Sequence, residues 1–238
     1  MREELIRQER ISTIGRLSSS IVHDLRNPLA AIRMTAQLLG KPDEMTFERR
    51  QVLSKRILTS SSRMEAIVKC LLDFAKAKAG ALVKLEREPV DLAALAARVI
   101  EEQTANLTGR SVELRSSGDV TGHWDPGRLE QIIGQLVSNA IRHGAEGVSV
   151  MTLTGRPHAV EIAIQSGGPP LPAELLPRIF DPFQIGPRPE GTPRRSIGLG
   201  LFVVKELAAA HAGSVAVQST EDAGTRFTVS LPRAVTPA

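Results

Sequence analysis

Two long amphipathic stretches at the start of the chain restrict its fold more than any other feature. Within residues 1–40, apolar side chains recur at steps of three, four or seven: Ile14, Leu17, Ile21, Leu25, Ile32 and Leu39. A second stripe alternates steps of four and three: Leu53, Ile57, Ser60, Met64, Ile67, Leu71 and Phe74. This spacing predicts two helices. We expect a break at Lys41-Pro42-Asp43 and an end near Gly80.

A single hairpin of these two helices cannot cover both stripes. The apolar surface left exposed would exceed the few hundred Å² that monomeric proteins tolerate. Pairing two hairpins into a four-helix bundle covers both stripes. We therefore predict a homodimer, with an intramolecular coiled coil as the alternative.

The pattern changes after residue 80, and we predict a boundary there. Residues 1–80 form the helical hairpin, 81–89 a linker, and 90–238 a second domain. Asp91 and Asp125-Pro126 are typical helix starts, and a further helix is expected from Ile197 to about Ala212. The predicted strands are residues 112–114, 121–124, 148–153, 160–164, 214–218 and 226–231. The predicted fold class is therefore α + (α+β): a dimeric four-helix-bundle hairpin followed by an α/β sandwich.

Composition narrows the functional classes. The net charge is +4, but aromatic residues make up only 3% of the chain, so the base-stacking platforms of nucleic-acid binders are nearly missing. No apolar run approaches the ~18 residues of a membrane span. The charged N-terminus is unlike a signal peptide. One cysteine, Cys70, fits a reducing compartment. We expect a cytoplasmic protein that binds neither nucleic acid nor membrane.

The string Ile21-Val22-His23-Asp24-Leu25-Arg26-Asn27-Pro28-Leu29 groups reactive side chains on the first helix. A neutral imidazole has one free lone pair, so His23 can act as a nucleophile. Asp24 follows it directly and can act as hydrogen-bond acceptor and base. Asn27 lies one helical turn further on. Pro28 predicts a kink below the histidine.

This string resembles the phosphoacceptor box of sensor histidine kinases, in which His and an acidic residue are followed by Asn or Thr and Pro-Leu. The resemblance implies that His23 is the phosphoacceptor and Asp24 its base. It also implies that Asn27 orients a water molecule for phosphatase action.

Four clusters of the second domain resemble the nucleotide-binding boxes of the ATPase domain that histidine kinases share with gyrase and heat-shock chaperones. The first spans residues 135–144 and resembles the N box. Gln135 and Asn139 are four apart, so both amides project from one helical face. The resemblance implies Asn139 as an Mg²⁺ ligand, with Gln135, in place of the family's first Asn, as a second candidate. Arg142 and His143 would contact the nucleotide.

The second cluster is Ser166-Gly167-Gly168-Pro169-Pro170-Leu171, which aligns with the family's Asp-x-Gly-x-Gly box. There the Asp reads the adenine amino group. Ser166 takes the Asp position, Gly168 that of the first Gly and Pro170 that of the second. A neutral hydroxyl forms a weaker hydrogen bond than a carboxylate, by roughly 1 kcal/mol. We expect about tenfold weaker ATP binding.

Two further clusters complete the resemblance. Phe180-Asp181-Pro182-Phe183 resembles the F box, at the base of a lid predicted over residues 184–197. The two aromatic rings would pack this lid, with packing in the core alone as the alternative. Gly198-Leu199-Gly200-Leu201 would approach phosphates through the backbone. Thr225 lies in the family's closing strand turn. Arg194 and Arg195 can reach phosphate, although a solvated charge pair is the alternative.

The resemblance spans nearly the whole chain and is strongest to kinases linked to bacterial phytochrome or other soluble sensors. It implies ATP-dependent autophosphorylation and transfer to a response regulator, under control of a sensor upstream of this chain. One alternative is a degenerate kinase that acts as a phosphatase or scaffold. A gyrase-type ATPase is disfavoured, because that class needs a glutamate where Gln135 stands.

Overall fold

The computed structural model describes residues 22, 25–40, 45–78, 85–105, 107, 109–145, 147–186 and 198–233. The chain divides into two compact units, one with a helical hairpin and one with an α/β sandwich. The predicted fold class is confirmed in these two parts. Several predicted features lie outside the described residues: His23, Asp24, the break at 41–43, the side chains of Cys70, Leu71 and Phe74, and Arg194 and Arg195.

The hairpin consists of α1 (residues 25–39) and α2 (Phe47–Lys78). Leu53 and Ile67 of the predicted stripe are buried, whereas Leu39 is 37% exposed. Apolar side chains outside the predicted stripe are also exposed: Leu29, Met34, Leu38, Val52, Leu58, Val68 and Leu72. The hairpin thus leaves a large apolar surface exposed on one chain.

The sandwich contains three helices and seven strands among the described residues. Its elements are β1 (Glu88–Asp91), α3 (Leu92–Thr104), β2 (Arg110–Ser117), β3 (Thr121–Trp124), α4 (Pro126–His143), β4 (Gly147–Gly155), β5 (Ala159–Ser166), a 3-10 turn (Leu176–Arg178), α5 (Gly200–Ala210), β6 (Ser214–Thr220) and β7 (Gly224–Pro232).

Five of the strands form one sheet in the order β2-β4-β5-β7-β6, and β1 pairs with β3 separately. Only β2 and β4 run parallel, so the sheet is mostly antiparallel. Alternate residues of β4 and β5, such as Met151 and Ile162, are fully buried. The helices contribute the other side of this core, with Ile132, Ile133 and Leu136 of α4 completely covered.

Local side-chain bonds start the helices where the sequence predicts. Asp91 Oδ1 accepts the backbone N–H of Ala93 at 2.9 Å, and Asp125 Oδ1 accepts that of Arg128 at 3.0 Å. Asp125 Oδ2 also accepts the N–H of Glu86 at 3.0 Å, which ties the segment before β1 to the start of α4.

Two elements differ from the sequence prediction. Strand β1 was not predicted, and it includes Glu88 and Pro89 of the expected linker. Proline is acceptable there because β1 pairs only with β3, at an edge. Helix α5 begins at Gly200 and not at Ile197. Gly198 has φ +74°, which no residue of a right-handed helix adopts.

The imidazole of His211 links the end of α5 to the start of α4. Its side chain is fully buried. Nε2 lies 3.2 Å from the backbone nitrogen of Asp125, and Nδ1 lies 2.8 Å from the carbonyl oxygen of Leu207. Because Nε2 accepts the hydrogen bond from the Asp125 N–H, the proton of the neutral ring is on Nδ1. His211, which directly follows α5, thus lies against the start of α4.

His211 should make stability depend on pH. Burial lowers its pKa, against an opposing effect of the Leu207 carbonyl. The unfolded chain therefore binds a proton at higher pH than the folded chain. The contribution of His211 to the free energy of unfolding has its full value above pH ~6.5. It falls on acidification, by at most about 1.4 kcal/mol per pH unit. Urea titrations at pH 5 to 7.5 should show a shallower dependence for His211→Gln. Exposed His158→Gln should behave like wild type; equal slopes for all three would contradict this.

Candidate functional site

Helix α4 carries two amide side chains, Gln135 and Asn139, one helical turn apart. Gln135 and Asn139 are both half-buried, and neither forms a hydrogen bond within the described part of the chain. A methyl group added at Gly200 would lie 2.6 Å from Oε1 of Gln135, so this amide meets the first residue of α5. The first turn of α5 has no acidic residue. The free N–H groups of a helix start attract anions, and this end of α5 suits a phosphate.

In the segment before α5, Gly198 has a backbone conformation that favours glycine. Gly198 has φ +74° and Gly200 begins the helix. Leu199 is 1% exposed, and Leu201 is half-buried.

Ser166 is the last residue of β5 and is only 9% exposed. Its Cβ would be 3.0 Å from a methyl group placed on Gly144, the residue after α4. The N–H of Ala145 donates to the carbonyl of Gly167 at 2.8 Å. Gly168 has φ +125° and closely approaches the same turn. The end of β5 and the end of α4 are thus joined through small residues and one backbone bond.

Thr225 supports this loop from the neighbouring strand. It pairs with Ser166 across β5 and β7. Its hydroxyl lies 2.8 Å from that of Ser219, and Ser219 Oγ accepts the N–H of Leu171 at 2.9 Å. Half-buried Pro170 precedes Leu171 directly. Thr225 therefore holds the loop in place through Ser219.

The remaining predicted residues of the sandwich lie at its edge. Arg142 and His143 are exposed in the last turn of α4, where the positive charge of Arg142 is favourable at the helix end. Phe180 packs edge-on against Phe227, with ring centroids 6.2 Å apart. Phe227 lies on β7, so this contact is the packing against the sheet that the alternative predicts. Asn27 is exposed on α1, in the other unit.

Three residues that shape the site were not assigned a role in it from the sequence: Gly144, Ser219 and Gly224. A methyl group on Gly224 would lie 2.2 Å from the carbonyl oxygen of Ser166. Gly144 is the last residue of the first cluster, and Gly224 precedes Thr225 in the closing strand turn; these positions are the sequence signals that single them out.

Two family models match the chain and together cover most of it. Residues 124–235 match the histidine kinase-, DNA gyrase B- and HSP90-like ATPase family, and residues 13–80 match the His Kinase A phospho-acceptor domain. The two matches fall in the order and places that the sequence resemblance predicts. The chain belongs to the histidine kinases.

Curated relatives of this kinase core include a bacteriophytochrome of Pseudomonas aeruginosa, 33% identical over 91% of the chain and 29% of that protein. The sensor histidine kinase ZraS of Escherichia coli K12 is 30% identical over 99% of the chain and 49% of its own length. The chain thus spans half or less of these relatives. The predicted similarity to phytochrome-linked kinases is confirmed.

Solved structures agree with the fold. The histidine kinase ThkA, in complex with the response regulator TrrA, has a TM-score of 0.65 and 25% identity, covering 98% of this chain and 66% of that one. In the part of the kinase core that the structure describes, no helix is long and apolar enough to cross a bilayer.

Proposed function

We propose that this chain is an ATP-dependent protein histidine kinase that phosphorylates His23 and passes the phosphoryl group to an aspartate of a response regulator. The observation that carries the proposal is the close approach of Gln135, on the amide face of α4, to Gly200 at the start of α5. That end combines unpaired amides of the described residues with an anion-attracting helix start, as a nucleoside triphosphate requires.

The amide oxygens of Asn139 and Gln135 are suited to Mg²⁺, which prefers oxygen ligands and bridges phosphates. Within the described residues these amides have no other hydrogen-bond partner, so they fit such an ion. Asn139 would hold it, with Gln135 beside it. The ion would neutralise charge that develops on the transferred phosphoryl group.

His23, Asp24 and Asn27 supply the chemistry at the acceptor. A nitrogen of His23 attacks the γ-phosphorus, the bond to the β,γ-bridging oxygen breaks, and ADP leaves. Asp24 accepts the hydrogen bond from the other ring nitrogen and stabilises its positive charge. Asn27 orients a water molecule for the phosphatase activity, in which the phosphoryl group is hydrolysed. Arg142, His143 and the backbone of residues 198–201 hold the nucleotide.

Incubation with γ-labelled ATP and Mg²⁺ tests this function. A kinase gives acid-labile, base-stable label on the chain. Steady ATP hydrolysis with no label would favour the gyrase-type ATPase. Absence of both, with dephosphorylation of a phosphorylated receiver domain, would favour the degenerate kinase acting as phosphatase.

The partners follow from the same proposal. The solved ThkA structure contains a response regulator, and we expect a receiver domain to dock on this chain as well. An upstream sensor would supply the input. We retain residues 1–80 as the proposed hairpin and 90–238 as the proposed catalytic domain. Of the predicted linker 81–89, Glu88 and Pro89 belong to strand β1 of the sandwich. We also retain a cytoplasmic location.

The hairpin should dimerise. Exposed apolar residues on both helices, including Met34 at 62% and Leu58 at 65%, need a cover that one hairpin lacks. A second copy completes a four-helix bundle. Multi-angle light scattering at micromolar concentration should give twice the chain mass. Leu58→Glu should lower the apparent mass, whereas Glu65→Gln on the same helix should not. A monomeric wild type would contradict the dimer.

Ser166→Asp should tighten ATP binding. The carboxylate can accept a charged hydrogen bond from the adenine amino group, and we expect about tenfold higher affinity. Calorimetric titration with a non-hydrolysable ATP analogue measures this. Ser214→Asp adds the same charge at an exposed position of β6 and should leave affinity unchanged. Equal affinities for Ser166→Asp and wild type would show that Ser166 does not face the base.

A further inference from the structure

The hydroxyl of Ser166 is buried and unpaired. The side chain is only 9% exposed, and no hydrogen bond from its Oγ is found to any residue that the structure describes. It shares its sheet face with Ile162 and Ile164, on the side covered by α4. Buried hydroxyl groups in native proteins are nearly always satisfied, so this one calls for a partner from outside the chain.

The protein groups around Ser166 are already engaged. The N–H of Ala145 bonds the carbonyl of Gly167, and the hydroxyls of Ser219 and Thr225 bond each other. Gly144 and Gly168 add no side chain beside the hydroxyl. No described protein group therefore fixes the direction of the hydroxyl proton, and the hydroxyl can either donate a hydrogen bond to a ligand or accept one from it.

A hydroxyl differs from a carboxylate in one chemical respect that matters here. A carboxylate only accepts hydrogen bonds, whereas a serine hydroxyl both accepts and donates. An acceptor alone selects a purine with a 6-amino group and rejects one with a 6-carbonyl group. A rotatable hydroxyl can pair with either.

We propose that Ser166 makes the base subsite tolerant of the purine 6-substituent, so that the chain takes 6-oxopurine triphosphates, such as those of inosine and guanosine, as well as ATP. This rests on the proposed kinase function, in which Ser166 faces the base. The hydroxyl accepts from the 6-amino group of adenine and donates to the 6-carbonyl of hypoxanthine or guanine.

Three triphosphates with Mg²⁺ test the proposal by equilibrium titration of the full chain: ATP, inosine triphosphate and purine riboside triphosphate, which has no 6-substituent. Wild type should bind the first two within about tenfold of each other, and each roughly two- to tenfold tighter than the third. Ser166→Ala should weaken ATP and inosine triphosphate by that factor and leave purine riboside triphosphate unchanged. Ser166→Asp should raise the preference for ATP over inosine triphosphate at least about tenfold.

Ser149→Ala is the matched control, because Ser149 is also a buried serine of the sheet, at 7% exposure. It should leave all three affinities unchanged. If Ser166→Ala weakens ATP alone, the hydroxyl only accepts and the proposal is wrong. If ATP binds no more tightly than inorganic tripolyphosphate, the chain has no base subsite and the proposed function fails as well. Thermal melts of each variant establish that it is folded.

Discussion

His23→Gln is expected to abolish phosphorylation of the chain by labelled ATP. Glutamine keeps a polar side chain of similar length, but its amide nitrogen has no available lone pair for attack on phosphorus. ATP affinity should stay within about twofold of wild type, because His23 is the proposed acceptor of the phosphoryl group and is not one of the residues proposed to hold the nucleotide. Acid-labile label, measured after seconds to minutes with Mg²⁺, is the readout.

His158→Gln is the control for this experiment, since His158 is exposed in the turn between β4 and β5. It should incorporate label at the wild-type rate. If His23→Gln still incorporated acid-labile label at the wild-type level, another histidine would be the phosphoacceptor. The assignment of residues 21–29 as the phosphoacceptor box would then be wrong.

Gly224→Ala is expected to damage both stability and nucleotide binding. Gly224 has φ +71°, and its added methyl would lie 2.2 Å from the carbonyl oxygen of Ser166. A backbone oxygen cannot yield as the end of a side chain can, so β5 must shift at its last residue. We expect a loss of about 2–4 kcal/mol in the free energy of unfolding. ATP affinity should fall roughly two- to tenfold as Ser166 moves.

Gly109→Ala separates the effect of backbone strain from the effect of the contact with the Ser166 carbonyl oxygen. Gly109 has φ +77°, nearly the same backbone strain, but nothing lies within 4 Å of its added methyl. It should cost about 1–2 kcal/mol and leave ATP affinity unchanged. Urea unfolding and calorimetric titration of both variants make the comparison. Equal losses of stability and unchanged binding in Gly224→Ala would show that the contact with Ser166 is unimportant.

The local features of the fold could be predicted from the sequence. Asp91 and Asp125 start helices because their carboxylates accept backbone N–H groups two or three residues on, a bond made within one turn. The alternation in residues 148–153 and 160–164 predicts strands because side chains of a strand point to opposite faces. The nucleotide boxes could be found because their glycines and amides recur at fixed local spacing.

Strand β1 and the role of His211 could not be predicted, because their causes lie far away in the sequence. Glu88–Asp91 is a strand only because Thr121–Trp124 pairs with it. His211 is buried, and its ring accepts the backbone N–H of Asp125, which lies 86 residues earlier in the chain. Neither partner is marked by any periodicity near the residue it affects.

The serine at position 166 shows most clearly how the two sources of information divide. Sequence comparison with the family box identifies the substitution and predicts weaker binding, since a neutral hydroxyl replaces a charge. Burial of that hydroxyl, its lack of a partner among the described residues and its packing against Gly144 and Gly224 come from tertiary structure alone. Residues distant in sequence form those surroundings, and local spacing carries no record of them.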